Sequence, residues 1–358
     1  METEGAIRSE VKVMSRPYMP CGRARVLVVG LGWIGLEAAR TVMGRPWAEV
    51  VGAVDPRPER LGKDLGELLG VGPLGIKVAE TVEEALEGAE ANVAIHATVS
   101  RLKDAHPQII ELCAHGLNVV TSAEELIYPE LSDLRLSVEL DQVARRYKVS
   151  VVASGVNPGF VMDRLPAFLA RACRSVRAAR VRRVVDLTRR REALRRKAGL
   201  GMEPERFVWL IREGVAGHVG LSHSAAYLCS ALGVEVDRIV EEVFPLIARE
   251  PIEAGEVRVP AGSVKGVRHL CRALRGEEEV VRLELVMEVG ACPVDEVEVD
   301  GDPPVRAVFP GGVEGDEATA ALLVNAIPQA LSGRPGLCVL DGPPFLVPLG
   351  VATRVEPR

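Results

Sequence analysis

The sequence predicts an α/β fold: a doubly wound parallel sheet joined to a second α+β domain with a mixed or antiparallel sheet. Three observations point there. Short apolar runs alternate with helical stretches from Arg25 to Ala153, the arrangement of βαβ units. A glycine-rich turn separates the first run from the first helical stretch. Beyond residue 155 longer runs of alternating polarity appear, as strands with one wetter face require.

The elements follow in order. Val26 to Val29 is a continuous apolar run, expected of a strand buried on both faces. A helix is expected from Ile34 to about Met43 and a strand over Val50 to Val54. Then come a short helix (Val82–Leu86), a strand (Val93–Ala97), a helix (Ala105–Ala114) and a strand (Asn118–Thr121). A helix over Leu134–Tyr147 and a strand over Val149–Ala153 complete the first domain. Helices are expected near 161–172, 204–213 and 221–231. Val280 to Val289 alternates as an antiparallel strand, and Asp295–Asp300 with Val305–Phe309 reads as a hairpin. Asp316 to Leu331, stopped by Gly333, is a helix expected to return to the first domain. The domains are therefore a flexible extension over 1–23, a dinucleotide-type domain over 24–155, a substrate and oligomerisation domain over 156–315, and a returning helix with its tail over 316–358.

Composition narrows the function. Among 358 residues, 44 basic and 50 acidic side chains leave a net charge of −6, which argues against a general nucleic-acid or polybasic membrane binder. The longest apolar stretch falls short of a bilayer span, and no signal-peptide pattern opens the chain. Seven scattered cysteines without a C-x-x-C fit reduced thiols in cytoplasm, and no metal-ligand spacing is present. Asn and Gln together occur only seven times beside abundant Arg and 24 Pro, a composition expected of a thermophile.

Gly30-Leu31-Gly32-Trp33-Ile34-Gly35 has the spacing G-x-G-x-x-G. Gly30 permits the tight turn, Gly32 lets a pyrophosphate approach the backbone, and Gly35 lets helix and strand pack closely. Asp55 ends the next strand 20 residues beyond Gly35, where an acid holds a ribose hydroxyl. Together these make a Rossmann fingerprint for NAD or NADP. Asp55 favours NAD; Arg57 and Arg60 just beyond it would tolerate a 2′-phosphate. Ala97 and Thr98, at the end of the strand Val93–Ala97, are placed to contact the cofactor. His96 reads as a core or cofactor-edge residue.

Glu124 and Glu125 follow the strand ending at Thr121, on the sheet edge where ligands bind in such folds. Ser122 and Glu125 have capping-box spacing, as do Thr121 and Glu124. If Glu125 caps, Glu124 is released into the cleft, where a carboxylate stabilises a cationic amine or iminium. Gly155-Val156-Asn157-Pro158-Gly159 lies at the domain crossing; Asn157 and Pro158 either line the nicotinamide side and the substrate pocket or form a plain turn. His218 is a pocket residue or a structural histidine. Nine basic residues between Arg180 and Lys197 read first as an ion-paired face or subunit contact, second as an attractor of an anionic group.

Several segments in this order carry a resemblance. They are Gly30 to Gly35, Gly62-Lys63-Asp64-Leu65-Gly66, Ala97-Thr98, Asn118 to Leu126 and Gly155 to Phe160. Arg190-Arg191, Lys197 to Gly201, Gly217 to Leu221, and Gly315 to Thr319 with Asn325 follow. Over residues 25 to 347 the chain resembles the 2,4-diaminopentanoate dehydrogenases and their relatives, the native NAD(P)H-dependent amine dehydrogenases. These share a dihydrodipicolinate-reductase-like Rossmann domain. The resemblance implies oxidative deamination of an amine, with reductive amination of a ketone or aldehyde by ammonia in reverse. It matches the family's pocket glutamate to Glu124, with Glu125 second, and implies a homodimer built on the second-domain sheet. The His-His pair, lysine and Ser-Gly-Thr stretch of dihydrodipicolinate reductase are missing. A reductase of amino-acid biosynthesis, dihydrodipicolinate-type or homoserine-type, and a non-catalytic nucleotide sensor are the alternatives.

Overall fold

A computed structural model of the chain describes residues 23–339. All but the last residue of the 1–23 extension, and the tail beyond Val339, lie outside the described residues. Six strands come first: β1 (Ala24–Val29), β2 (Ala48–Val54), β3 (Val78–Ala79), β4 (Val93–His96), β5 (Asn118–Thr121) and β6 (Ser150–Ala153). Between them run α1 (Trp33–Met43), α2 (Leu65–Leu69), α3 (Val82–Ala85), α4 (Leu102–Ala114) and α5 (Leu134–Arg146). With β15 (Gly336–Leu337) from the far end of the chain, the strands form one parallel sheet in the order β15-β6-β5-β4-β1-β2-β3. That is the Rossmann order. Val26, Leu27 and Val28 are all fully buried, because helices cover both faces.

Register positions the site. Val29 lies opposite His96, His96 opposite Thr121, and Thr121 opposite Ala153. The four strands therefore end level, and their following loops emerge side by side along one edge.

The second domain holds α6 (Arg164–Ala170), β7 (Ser175–Asp186), α7 (Glu192–Lys197), α8 (Pro204–Arg212) and α9 (Leu221–Leu232). After them come β8 (Arg238–Ile247), β9 (Ile252–Ala254), β10 (Val257–Val259), β11 (Val264–Arg275), β12 (Glu278–Glu288), β13 (Val294–Asp302) and β14 (Val305–Pro310). The main sheet runs β14-β13-β7-β12-β11-β8. β12 is antiparallel to β11, as its alternation predicts, but parallel to β7. Alternation reports a half-buried strand and carries no information on its neighbour's direction. Phe207, Leu221 and Leu228 fill the core with the inner face, including Val181, Leu283 and Leu285.

Helix α10 (Asp316–Ser332) crosses back to the first domain. Leu323, Val324 and Ile327 join Val26, Ala38 and Val152 in one core. The Ser154 hydroxyl donates to Leu322 O at 3.2 Å and fixes the helix to the end of β6. Among the described residues no helix is long and apolar enough to cross a membrane.

Candidate active site

The level strand ends open onto a cavity of about 360 Å³ at the domain junction. Gly32, Trp33, Ile34, Ala97, Thr98 and Glu124 form the first-domain wall. Asn157 and Pro158 enter from the crossing loop, and Arg183, Leu285 and Met287 from the inner face of the second sheet. His218, Lys197, Arg190 and Arg191 close the far side, with Gly315 and Asp316 ahead of α10.

The glycine loop fits a dinucleotide phosphate. Gly30 has φ +87°, a left-handed conformation costly for side chains. A Cβ on Gly35 would overlap Gly30 O, whereas one on Gly32 would meet nothing within 4 Å. Close packing therefore falls at Gly35 and open space at Gly32. Helix α1 has no side-chain cap, so its first N–H groups face the cavity with the helix dipole behind them.

Asp55, 1% exposed, accepts from Leu31 N at 2.8 Å and braces the loop. It also accepts from Arg57 Nε at 2.8 Å and Nη2 at 2.6 Å, and Arg60 stands 3.4 Å away. Burial opposes its ionisation, but the Arg57 and Leu31 bonds outweigh burial and hold the carboxyl at about 2. The acid and both arginines thus form one cluster at the end of β2.

The two adjacent glutamates part company. No side chain caps the short turn Glu124–Ile127, so neither expected capping box forms. Glu125 instead accepts from Leu102 N at 2.8 Å and satisfies the start of α4. A helix 23 residues upstream supplied the donor, which local spacing does not reveal. Glu124 faces the cavity. Burial pushes its carboxyl above the ordinary carboxylate range, while the Ser100 hydroxyl and the Lys197 ammonium act in the opposite direction. Gly220, at φ +92°, lets the start of α9 close on it: a Cβ there would lie 3.0 Å from Glu124 Cβ.

Thr98 lines the cavity, and its hydroxyl bonds His96 Nε2 at 2.7 Å and Gln108 Oε1 at 2.8 Å. His96 is fully buried, with Nδ1 2.8 Å from Thr121 Oγ1. Burial pushes its pKa down to about 4, so it orders the strand ends as a neutral ring.

The crossing loop is held from below. Fully buried Asp163 accepts from Gly159 N and from the Ser224 hydroxyl, both at 2.7 Å. Arg164 donates to Gly159 O at 3.0 Å and Ala153 O at 2.9 Å. These bonds present Asn157, whose buried Oδ1 has no hydrogen-bond partner among the described residues. An unpaired acceptor in a residue that lines the cavity suits a carboxamide or amine donor. Residue spacing gave no sign of the Asp163 network.

His218 also lines the cavity and stands edge-on to His269, ring centroids 6.4 Å apart. Burial first, then His269 and Lys197, push His218 down to about 3. It is a neutral polar wall at physiological pH. The arginine-rich stretch divides in two. Arg180 and Arg182 pair with Glu298 and Glu296 across the outer sheet face, the ion-paired reading. Arg190, Arg191 and Lys197 face the cavity.

Two family models match separate parts of the chain. Residues 160–352 match the model described as the 2,4-diaminopentanoate dehydrogenase C-terminal domain. Residues 24–123 match the dihydrodipicolinate reductase N-terminus. A 2,4-diaminopentanoate dehydrogenase from Acetoanaerobium sticklandii is 29% identical over 325 residues, covering 88% of this chain and 92% of its own. The solved amine dehydrogenase from Mycobacterium smegmatis superposes with TM-score 0.79 at 25% identity, covering 90% of this chain and 96% of that one. GenD2 from gentamicin A biosynthesis, solved in complex with NAD, shares the fold, with TM-score 0.51 at 19% identity over 83% of this chain and 75% of that one.

Proposed function

The chain belongs to the family defined by the 2,4-diaminopentanoate dehydrogenase C-terminal domain, and on that premise we propose that Glu124 carries its chemistry. The protein is an NAD(P)-dependent oxidoreductase acting on a C–N bond. Its reaction is oxidative deamination of a small amine, run in reverse as reductive amination of a ketone or aldehyde with ammonia. The observation that carries the assignment is a half-buried carboxylate beside the strand-end loops, freed because Glu125 is spent on α4.

Bound NAD(P) supplies a hydride acceptor or donor at nicotinamide C4. The protein does the rest. Glu124 holds the cation that develops at nitrogen as the carbon loses hydride, an electrostatic role strengthened where water is excluded. In the reverse direction it accepts the proton that ammonium sheds before nitrogen attacks a carbonyl. Asn157 Oδ1 receives a donor from the ring carboxamide or the amine, and Leu285 and Met287 supply an apolar wall. Residues 24–155 with the start of α10 serve mainly the cofactor; residues 156–315 serve mainly the substrate.

A direct test supplies NADH, a panel of ketones and aldehydes, and ¹⁵N-ammonium at about 60 °C, a temperature suited to a composition poor in amides. An amine carrying ¹⁵N is expected. An alcohol product alone would identify a carbonyl reductase and end this reading.

NAD is read as the preferred cofactor, with NADP accepted, because Asp55 is matched by two guanidinium groups. Arg57→Ala should weaken NADP(H) about tenfold, the scale of a lost charge-assisted contact, and leave NAD(H) within about twofold. Equal losses in cofactor titrations would refute the assignment.

A homodimer is read from the outer face of the second sheet. There Arg268–Glu284 and Arg272–Glu242 pairs flank Phe244, 41% exposed, on β8, and Val308, 44% exposed, stands on β14 at the opposite edge. Light scattering should give twice the chain mass of 38.5 kDa. Phe244→Asp should move the protein toward monomer. A cytoplasmic setting is supported by Cys113, Cys173, Cys229, Cys271 and Cys292, which are free thiols.

A further inference from the structure

Two arginines of the second domain line the cavity, and one of them, Arg191, reaches the residue after the second loop glycine. Arg190 and Arg191 follow β7, whereas Gly315 and Asp316 open α10, which packs on the first domain. Arg191 clasps Asp316 with two bonds, Nε to Oδ2 and Nη2 to Oδ1, each 3.1 Å. Its guanidinium also lies 5.8 Å from the centre of the Trp33 ring, and Trp33 follows Gly32, the glycine with open space above it. Arg190 is only 12% exposed in its side chain and pairs with Glu314, with Asp316 3.9 Å away. A Cβ at Gly315 would overlap the Arg190 guanidinium, so that backbone fits tightly around the cation. Arg190 Nε is buried with no hydrogen-bond partner among the described residues.

We propose that Arg191, backed by Arg190, is a second-domain latch for the diphosphate of the dinucleotide. Asp316 and Glu314 are the carboxylates that occupy it when no phosphate is bound. The inference rests on the NAD(P) reading of the glycine loop. A diphosphate seated over Gly32 and the N-terminus of α1 comes beside Trp33 and so within the field of Arg191. The diphosphate carries two negative charges, one on each phosphate, against the single charge of Asp316, and its oxygens accept the same forked pair of donors. Binding therefore adds a contact from the second domain to a site otherwise built by the first. Cofactor affinity then depends on the two domains meeting, and the cleft closes over the nicotinamide when the diphosphate is in place.

The test is NADH affinity by nicotinamide fluorescence and calorimetry, without substrate, in the full-length wild type, Arg191→Ala, Arg191→Lys and Asp316→Asn. The latch predicts effects of opposite sign. Arg191→Ala weakens NADH about tenfold or more and flattens the salt dependence of its affinity. Arg191→Lys falls between, since a point charge replaces a fork. Asp316→Asn tightens NADH a few-fold, because the competing carboxylate is gone. A salt bridge that merely holds the domains makes Arg191→Ala and Asp316→Asn weaken binding alike, which overturns the proposal. Unchanged affinity in Arg191→Ala overturns it as well. Thermal melting identifies any variant that fails to fold, and Arg191→Lys then decides. If the wild type itself binds neither NADH nor NADPH, the cofactor reading falls first.

Discussion

Glu124→Gln is expected to lower turnover of ammonia-dependent NAD(P)H oxidation by about 10²–10³, the range for losing one preorganised charge-stabilising group. Cofactor affinity should stay within about twofold, since the glycine loop and Asp55 are untouched. Glutamine keeps the size and the Ser100 hydrogen bond but cannot carry charge. The pH profile separates this role from a structural one. Burial raises the Glu124 pKa, so the acidic limb of the wild-type rate should fall above the ordinary carboxylate range. That limb should vanish in the variant. Stability should move the other way. A carboxyl raised on folding binds its proton more tightly in the native state. Stability is therefore lost as pH rises from the unfolded value through the raised one. Above that window the wild type bears the cost of a buried charge and the glutamine variant does not. Reduced turnover with equal or higher melting temperature is the expected pair; loss of both indicates a structural glutamate.

The second large effect is on the loop that presents Asn157. Asp163→Ala should destabilise the protein by several kcal/mol, at about 1–3 kcal/mol for each buried donor left without its acceptor. Arg164, 5% exposed, loses the acceptor that its backbone N–H holds at 2.6 Å. Gly159 N and the Ser224 hydroxyl lose their acceptor at the same time. Chemical denaturation measures the change. Surviving Asp163→Ala protein at lower temperature should show a raised substrate KM, because the loop no longer holds Asn157 against the cavity. A change below about 1 kcal/mol, the scale of an exposed pair, would mean the network is dispensable.

These residues also separate what sequence can reveal from what it cannot. The glycine turn, Asp55 and the strand ends are local: each requirement lies within one βαβ unit, so pattern and spacing suffice. The pairing of Glu125 with Leu102 N joins segments far apart in sequence, and the capping-box expectation failed for that reason. Glu124 still faces the cavity, because a distant partner occupies its neighbour. The division of the arginine-rich stretch was hidden likewise. Strand β7 alternates Arg180 and Arg182 toward one sheet face with Arg183 toward the other, and the chain leaves the sheet before Arg190. Only the return of α10 places Asp316 against Arg191. Asp163 gave no signal, since a lone acid before a helix has an ordinary capping role, and it does cap Arg164 N at 2.6 Å. Its burial follows from α9 packing above it through Ser224.

The central claim, a C–N oxidoreductase whose pocket carboxylate handles the amine nitrogen, is tested most directly by one titration. The initial rate of NADH oxidation with a ketone or aldehyde is followed as ammonium is raised from zero, in the wild type and in Glu124→Gln. The account predicts no oxidation without ammonium, saturation as ammonium rises, and loss of the saturable rate in the variant. Oxidation that proceeds at full rate without ammonium, unaffected by Glu124→Gln, would contradict it.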